Sequence, residues 1–192
     1  MPTEREKMLA GNLYDPADAE LRAMRKDARL KFEAFNKTSV TERLERTRLL
    51  KALFGSTGKR LYVEPFFACD YGSNIYLGDN FYANFGCVIL DACEVRIGKN
   101  CMLGPQVGLY TATHPLDPTE RSSGKEYGKP VSIGDDCWIG GRAVINPGVA
   151  LGNNVVVASG AVVTKSFGGN VVLAGNPAKV IKRLNVDGRG DS

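Results

Sequence analysis

A six-residue unit repeats without a gap between Val131 and Val163, and it constrains the fold more than any other feature of the sequence. A large aliphatic residue opens each unit, and the fifth position is small or medium-sized and apolar: Cys137, Ala143, Val149, Val155, Ala161. Asp, Asn, Gly and Pro cluster between these positions, so each unit predicts a short strand followed by a turn. Because the successive units keep one phase, the segment predicts a parallel β-helix, in which each coil buries its side chains against the coils above and below.

The same unit first occurs at Leu77 and continues imperfectly to Leu109, with a shift of phase before Ile97. We therefore divide the chain into an N-terminal helical cap (residues 1–58), a β-helix domain (59–184) and a disordered tail (185–192). The segment 110–130 lacks the repeat and is polar and rich in Pro and Gly, which predicts a loop that leaves the coil. Since the scaffold itself does not need so long an excursion, we expect the loop to be functional.

The N-terminal segment has helical rather than hexapeptide spacing. Apolar residues recur at intervals typical of one helix face: Leu21, Met24, Ala28, Phe32, Phe35. Ser39 and Glu42 have the spacing of a capping box, which predicts a further helix that runs to Phe54 and ends at Gly55. We expect these helices to cover the open end of the β-helix.

Composition excludes several classes of function. The net charge of +4 is small and scattered, so no nucleic-acid-binding face is predicted. The start of the chain is charged and no apolar run approaches a membrane span, so we expect a cytoplasmic protein that does not bind membranes. A single histidine and the lack of a C-x-x-C pair argue against a metal site, and four of the five cysteines fall at small inward positions of the repeat, as core residues do: Cys87, Cys93, Cys101, Cys137.

His114 is the only histidine, and it lies at the root of the loop. An imidazole can remove a proton from a hydroxyl near neutral pH, which makes His114 the candidate general base. Asn84 follows Ala83, where the repeat favours a large aliphatic residue, and its amide could orient the imidazole or donate to an oxyanion. The alternation of the strand points Trp138 outward, which fits either a ligand-binding wall or a subunit contact. Basic residues near the end of the repeats suit an anionic group such as phosphate, although each is also compatible with a solvated surface: Lys165, Lys179, Lys182, Arg183.

The chain resembles the hexapeptide-repeat acyltransferases, specifically the maltose and galactoside O-acetyltransferase group. Four features carry the resemblance: the hexapeptides, the His-Pro loop, the Trp-Ile-Gly-Gly stretch at 138–141 and the Gly-Asn-Pro-Ala-Lys ending at 175–179. The resemblance covers nearly the whole chain. It implies an all-β fold with an α-helical N-terminal segment, namely a left-handed parallel β-helix. It also implies a homotrimer with active sites between subunits, acetyl-CoA as donor and a sugar hydroxyl as acceptor.

The resemblance also implies roles for individual residues. His114 is the general base and Asn84 its orienting and transition-state partner. For acetyl-CoA, the amide of Gly141 meets the thioester or the oxyanion, and the remaining positions line the pantetheine arm or reach the phosphates: Trp138, Ser159, Thr164, Lys165, Lys179, Lys182. The acceptor pocket is expected at four positions: Asp70, Tyr82, Asp91, Glu126. No metal ion is expected.

The chain departs from the galactoside enzymes in ways that favour the maltose branch. Ala92 follows Asp91 where those enzymes have a second Asp, and no carboxylate stands at Pro16. The stretches 69–72 and 111–114 also resemble the maltose branch.

A separate departure concerns the nucleotide end of acetyl-CoA. Lys179 and Lys182 occupy positions that the galactoside enzymes fill with arginine, which keeps the charge and loses the bidentate fork.

Three alternatives remain open. The same scaffold acetylates other acceptors, such as galactosides, antibiotics or amino sugars, and the loop 110–130 would decide among them. A metal-dependent hydratase of the carbonic-anhydrase kind needs three histidines per site, against one per chain here. A non-enzymatic scaffold would not need the interruption at His114.

Overall fold

Three parallel β-sheets form the walls of a prism, and the chain passes through the walls in turn. The computed structural model of the protein describes residues 1–185. The first wall contains, in spatial order, β1 (Leu61–Val63), β4 (Phe81–Ala83), β7 (Met102–Leu103), β12 (Trp138–Ile139), β15 (Val155–Val157), β17 (Val171–Ala174) and the antiparallel β18 (Lys179–Arg183). The second contains β2 (Ala68–Cys69), β5 (Val88–Leu90), β8 (Gly108–Tyr110), β13 (Val144–Ile145) and β16 (Val162–Val163). The third contains β3 (Ile75–Leu77), β6 (Val95–Ile97), β11 (Val131–Ile133) and β14 (Ala150–Leu151).

The phase of the repeat sets the core. The residues that open the units are at most 4% exposed and stack inside the prism: Ile133, Ile139, Ile145, Leu151, Val157. The fifth residues of the units are equally buried, and each aliphatic side chain removed from water in this way contributes about 1.5–3 kcal/mol. The predicted parallel β-helix with an N-terminal helical part is therefore confirmed. All five cysteines are buried and unbridged, as expected of core residues at the four predicted positions.

One corner of the prism explains why Asn and Asp recur in the repeat. In successive coils the residue at this corner has a positive φ between 54° and 60°: Asn80, Asn100, Asp136, Asn154, Asn170. Asn and Asp tolerate this left-handed conformation better than most residues. Their side chains also join the coils, since the Asn100 amide donates to Asp136 at 2.8 Å and the Asn154 amide donates to Asn170 at 2.9 Å.

The N-terminal helices are α1 (Glu4–Leu9), α2 (Ala19–Asn36) and α3 (Arg43–Leu53). Asp18 caps α2 by accepting hydrogen bonds from the amides of Glu20 and Leu21, and Phe35 at its far end is fully buried. The capping-box prediction is wrong, because α3 begins at Arg43 and Glu42 is its N-cap without a side-chain cap bond. Only half of the box forms: the Glu42 carboxylate accepts from the amide of Ser39 at 2.6 Å.

Two segments leave the regular coils. After β8 the chain forms β9 (Ala112–Thr113), a short helix α4 (Pro118–Ser122) and β10 (Tyr127–Gly128), which pairs antiparallel with β9, before it rejoins the third wall at β11. At the other end β18 folds back on β17 as an antiparallel strand. The predicted disordered tail lies outside the described residues, apart from Asn185. Within residues 1–185 no helix combines the length and the apolar character needed to cross a membrane.

Candidate active site

The loop encloses a hollow of about 340 Å³ between itself, the N-terminal segment and the first coils. We call it the loop hollow. It is lined by Tyr14, Pro16, Arg25, Arg29, Asp70, Tyr71, Leu90, Ala92, Ala112, His114 and Glu126. Most of its polar side chains are ionisable, so the loop hollow is suited to proton transfer and to hydrogen bonding with a polar ligand.

The antiparallel pairing of β9 with β10 places His114 beside Glu126. His114 follows directly after β9 and Glu126 directly precedes β10, so the pairing of Thr113 with Tyr127 brings the two side chains together. His114 Nε2 lies 3.8 Å from Glu126 Oε2, and the imidazole remains 57% exposed. A carboxylate at this position stabilises the imidazolium that forms when His114 accepts a proton.

The N-terminal segment holds Glu126 in place. Tyr14 and Glu126 exchange backbone hydrogen bonds of 3.0 and 3.2 Å, and the Tyr14 hydroxyl donates to Glu126 Oε1 at 2.9 Å. Tyr14 is almost completely buried. Burial and the neighbouring Glu126 carboxylate raise the pKa of Tyr14 far above its usual range, so the hydroxyl keeps its proton and always donates. Glu126 is thus fixed by three hydrogen bonds to one residue from the start of the chain.

Asp70 and Asp91 have different roles. Asp70 lines the loop hollow, and burial together with the Glu126 carboxylate raises its pKa, against the opposing effect of Arg25 and Arg29. Asp91 is fully buried and does not line the hollow. Its carboxylate accepts hydrogen bonds from the amides of Asp70, Tyr71 and Asn74 at 3.0, 2.9 and 3.3 Å. The predicted acceptor contact of Asp91 therefore does not fit this geometry, in which Asp91 supports the backbone on which Asp70 lies.

A second depression, also of about 340 Å³, lies on the coils. We call it the coil groove. It is lined by Tyr82, Asn84, Met102, Leu103, Gly104, Pro105, Trp138, Gly141 and Ser159. Tyr82, Met102 and Trp138 are register partners in adjacent strands of the first wall, so their side chains form one outward row. Trp138 is 52% exposed, as the strand alternation predicts.

Glycine lets the coils approach closely along the floor of the coil groove. A Cβ atom at Gly104 would lie 2.5 Å from the amide nitrogen of Gly141, and one at Gly140 would lie 2.6 Å from that of Ser159. Neither contact is possible for a side chain, so glycine is required at both positions. The result is a flat strip of backbone beside the Trp138 ring, where a ligand can reach main-chain groups directly.

Asn84 begins the turn at the edge of the coil groove. Its Oδ1 accepts a hydrogen bond from the amide of Phe85 at 2.8 Å, and its backbone amide donates to the carbonyl of Leu103. The side-chain oxygen is thereby occupied and the Nδ2 group is left to donate. Such a donor can hold an imidazole nitrogen or an oxyanion.

The structure thus separates the predicted site residues into two groups and leaves five outside both depressions. His114, Asp70 and Glu126 lie in the loop hollow, whereas Asn84, Tyr82, Trp138, Gly141 and Ser159 lie in the coil groove. The five that line neither are Asp91, Thr164, Lys165, Lys179 and Lys182. The last four belong to the final coils; Lys165 contacts the Phe167 ring at 5.6 Å, and Lys179 and Lys182 lie on β18.

Sequence reasoning missed the contribution of the N-terminal segment to the loop hollow. Tyr14, Arg25 and Arg29 reach it from regions interpreted as a simple cap, and the Arg25 guanidinium donates to the Tyr71 hydroxyl at 2.6 Å. The isolated Tyr14, outside any helical periodicity, was the one available signal. Among residues 1–185 no group of three or more His, Cys, Asp or Glu side chains is arranged to hold a metal ion.

Two family models match the chain. Residues 7–58 match the maltose acetyltransferase hexapeptide capping motif, and residues 130–165 match the hexapeptide repeat of succinyl-transferase. The galactoside O-acetyltransferase of Escherichia coli is 39% identical over 180 residues, which cover 94% of this chain and 89% of that enzyme.

Solved structures agree with these matches. A maltose O-acetyltransferase from Clostridium difficile is 48% identical with a TM-score of 0.95, over 96% of this chain and 98% of that one. A galactoside acetyltransferase in complex with coenzyme A is 39% identical with a TM-score of 0.93, over 96% of this chain and 92% of that one. The protein therefore belongs to the maltose and galactoside O-acetyltransferase family and is a hexapeptide-repeat acetyltransferase.

Proposed function

We propose that the protein transfers the acetyl group of acetyl-CoA to a primary hydroxyl of maltose, glucose or a related sugar. The observation on which this depends is the His114–Glu126–Tyr14 arrangement, an exposed imidazole backed by a fixed carboxylate at the rim of a polar hollow. A sugar binds through many hydroxyl groups, and the loop hollow offers carboxylate, guanidinium and phenol partners for them. The related galactoside enzyme bound to coenzyme A supports the choice of donor.

In the proposed reaction the His114 imidazole removes the proton from the sugar hydroxyl as the hydroxyl oxygen attacks the thioester carbonyl carbon. Glu126 stabilises the resulting imidazolium. Asn84 Nδ2 and the amide of Gly141 donate to the oxyanion of the tetrahedral intermediate. Collapse breaks the carbon–sulfur bond, and the imidazolium returns its proton to the departing thiolate. No covalent enzyme intermediate is required.

We infer further that the active site forms between protomers of a homotrimer. Within one chain the coil groove lies where the first wall meets the second, whereas the loop leaves where the second wall meets the third. His114 and Asn84 therefore lie at different edges of one prism, and a neighbouring protomer is needed to bring them together. The outward row of the partly buried Tyr82 with the exposed Met102 and Trp138 suits burial at such an interface.

A thiol-release assay with acetyl-CoA tests the acceptor. We expect turnover with glucose and maltose to exceed that with isopropyl thiogalactoside, glucosamine and chloramphenicol. If none of the sugars stimulates thiol release, the proposed function is wrong. If chloramphenicol or glucosamine is preferred, the acceptor belongs to that class instead of the neutral sugars.

Mixed oligomers test the shared site. Co-expression of the single variants His114→Ala and Asn84→Ala, each inactive alone, should restore about a quarter of the wild-type activity, because that fraction of random interfaces holds both intact residues. A site built within one chain would give no restoration. As a control, His114→Ala is co-expressed with the His114→Ala, Asn84→Ala double variant. These mixed oligomers should be inactive, because no protomer in them carries His114.

The residues of the acetyl-CoA subsite are proposed from the resemblance to the same family. Trp138 flanks the pantetheine arm, Ser159, Thr164 and Lys165 line its path, and Lys179 and Lys182 reach the phosphates. Only Trp138 and Ser159 of these line the coil groove of the same protomer, so the lysines would contribute from the final coils at the end of an extended ligand.

A further inference from the structure

Four basic residues follow one face of α2 at intervals of three and four residues: Arg22, Arg25, Lys26 and Arg29. Together they bound a surface hollow of about 290 Å³. Arg25 and Arg29 also line the loop hollow, so the two depressions adjoin. Like charges three and four residues apart on a helix repel each other and destabilise it. A chain that keeps four of them beside its candidate acceptor site needs an explanation beyond helix formation.

The positive charges of Arg25 and Arg29 are balanced by carboxylates within the loop hollow. Both act on Asp70, whose pKa they lower against the effect of burial, and Arg25 also donates to the Tyr71 hydroxyl. The hollow contains two carboxylates, those of Asp70 and Glu126, to set against these two guanidinium groups.

Arg22 and Lys26 have no such partners. Both are exposed, and within the described part of the chain neither side chain forms an ion pair or a hydrogen bond. The nearby acids on α2 are engaged elsewhere, since Asp27 pairs with Lys31 at 2.6 Å and Glu20 lies 3.7 Å from Arg5. Two positive charges therefore remain uncompensated at the rim of the acceptor site.

We propose that Arg22 and Lys26, with Arg25 and Arg29 behind them, bind a phosphate group carried by the sugar acceptor. The charge of a phosphate monoester at neutral pH is close to −2 and matches the two uncompensated cations. Guanidinium and ammonium groups form charge-assisted hydrogen bonds with phosphate oxygens. This inference rests on the proposed function and names a class of acceptor for it, a sugar that carries a phosphate away from the hydroxyl that is acetylated.

Glucose 1-phosphate and methyl glucoside are a suitable pair of probes, since both leave the primary hydroxyl free and differ in the phosphate. We expect the wild-type protein to have a Kd for glucose 1-phosphate about tenfold lower than for methyl glucoside in calorimetry, and a KM ratio of similar size in the thiol-release assay. The preference should fall as the salt concentration rises, because exposed charges are screened. Arg22→Gln with Lys26→Gln should remove it while the KM for methyl glucoside stays unchanged.

Lys37→Gln with Lys51→Gln is the matched control, because it makes the same change of net charge at exposed positions of the N-terminal helical segment that do not line the hollow, and it should keep the preference. Equal affinity of the wild-type protein for the two probes would overturn the inference, as would a preference that survives in Arg22→Gln, Lys26→Gln. Because calorimetry needs no turnover, the binding comparison can be made whether or not either probe is acetylated. If neither probe is acetylated, the proposed function fails while the binding comparison still decides the phosphate site.

Discussion

The coil groove and the loop hollow have almost the same volume but are built in opposite ways. The coil groove consists of residues that occupy fixed positions of the repeat in adjacent coils, and Tyr82 is its only ionisable side chain. The loop hollow is assembled from segments far apart in sequence, such as Tyr14 and Glu126, which are separated by 112 residues, and it is rich in ionisable groups. A strict repeat can supply shape and exposed backbone, whereas the ionisable side chains come from segments outside the repeat.

This comparison also predicts which kind of substitution disrupts each depression. The coil groove depends on close backbone contacts between coils, so its weak points are steric. The loop hollow depends on a few polar contacts to the N-terminal segment, so its weak points are electrostatic. The four variants below test this distinction.

The largest effect is expected from His114→Ala. Removal of a general base lowers kcat by about two to four orders of magnitude, while the KM for acetyl-CoA should stay nearly unchanged because the imidazole lies in the other depression. Thiol-release kinetics with maltose measure both. Leu116→Ala, which alters an exposed side chain on the same loop, serves as the control and should leave both constants unchanged. Near-wild-type turnover in His114→Ala would remove His114 from the mechanism.

Asp91 tests how far the electrostatics of the loop hollow extend into the core. Burial, together with the Asp70 carboxylate, raises the pKa of Asp91 to about 7, against the opposing effect of its backbone hydrogen bonds. An unfolded chain titrates this group near pH 4, so between about pH 4 and 7 the folded protein holds a proton that the unfolded one has lost. The contribution of Asp91 to the free energy of unfolding is therefore greatest below pH 4 and falls as the pH rises to 7, by up to about 4 kcal/mol.

Asp91→Asn removes that dependence. Urea unfolding at pH 4.5, 5.5 and 6.5 should show the wild-type protein losing stability relative to the variant as the pH rises. The variant is the less stable of the two at pH 4.5, because its amide nitrogen cannot accept the hydrogen bond that Asp91 Oδ2 accepts from Asn74. A stability difference that is constant across the three pH values would mean that Asp91 is ionised in the folded protein.

The coil groove is tested by Gly104→Ala. The added methyl group would lie 2.5 Å from the amide nitrogen of Gly141, and because that atom belongs to the backbone the coils must separate. Overpacking of this kind costs about 1–3 kcal/mol. Gly168→Ala is the matched control, since a methyl group there meets nothing within 4 Å. Equal stability of the two variants in urea would show that the coils are less tightly packed at this corner than the geometry indicates.

What the sequence could predict follows the same division. The alternation within each unit predicts the inward Cys137 and the outward Trp138, because the strand period fixes the direction of every side chain once the phase is known. The burial of Asp91 was not predictable from that pattern. The resemblance named Asp91 as an acceptor residue, but three backbone amides from the preceding coil surround its carboxylate. Such a role depends on the turn geometry of a neighbouring coil, which the repeat alone does not specify.

The N-terminal segment shows a further limit. Helical spacing correctly predicted α2, yet the contact of Arg25 with Tyr71 and that of Tyr14 with Glu126 join positions 46 and 112 residues apart. No local pattern encodes such pairs. The resemblance to a family named Glu126 as a site residue but gave no reason for its orientation, which the structure supplies through Tyr14.

Tyr14→Phe tests that orientation and should have the smallest effect of the four. Phenylalanine preserves the buried ring and the two backbone hydrogen bonds to Glu126, and it removes only the 2.9 Å hydrogen bond to Oε1. A hydrogen bond to a charged group contributes about 1.5–3 kcal/mol, but Glu126 retains its backbone tie and can rotate toward solvent, so we expect about a three- to tenfold loss of kcat.

The pattern of kinetic constants separates positioning from simple damage to the fold. If Tyr14 acts through Glu126, then Glu126→Gln should lower kcat at least as much as Tyr14→Phe, and Tyr14→Phe should cause little further loss in the Glu126→Gln background, because the two residues form one contact. Additive losses in that double-mutant cycle would instead show that Tyr14 supports the cap without orienting the carboxylate. Since the coil groove receives nothing from Tyr14, the KM for acetyl-CoA should remain at the wild-type value in all three variants, and a rise there would mean that the two depressions are not built independently.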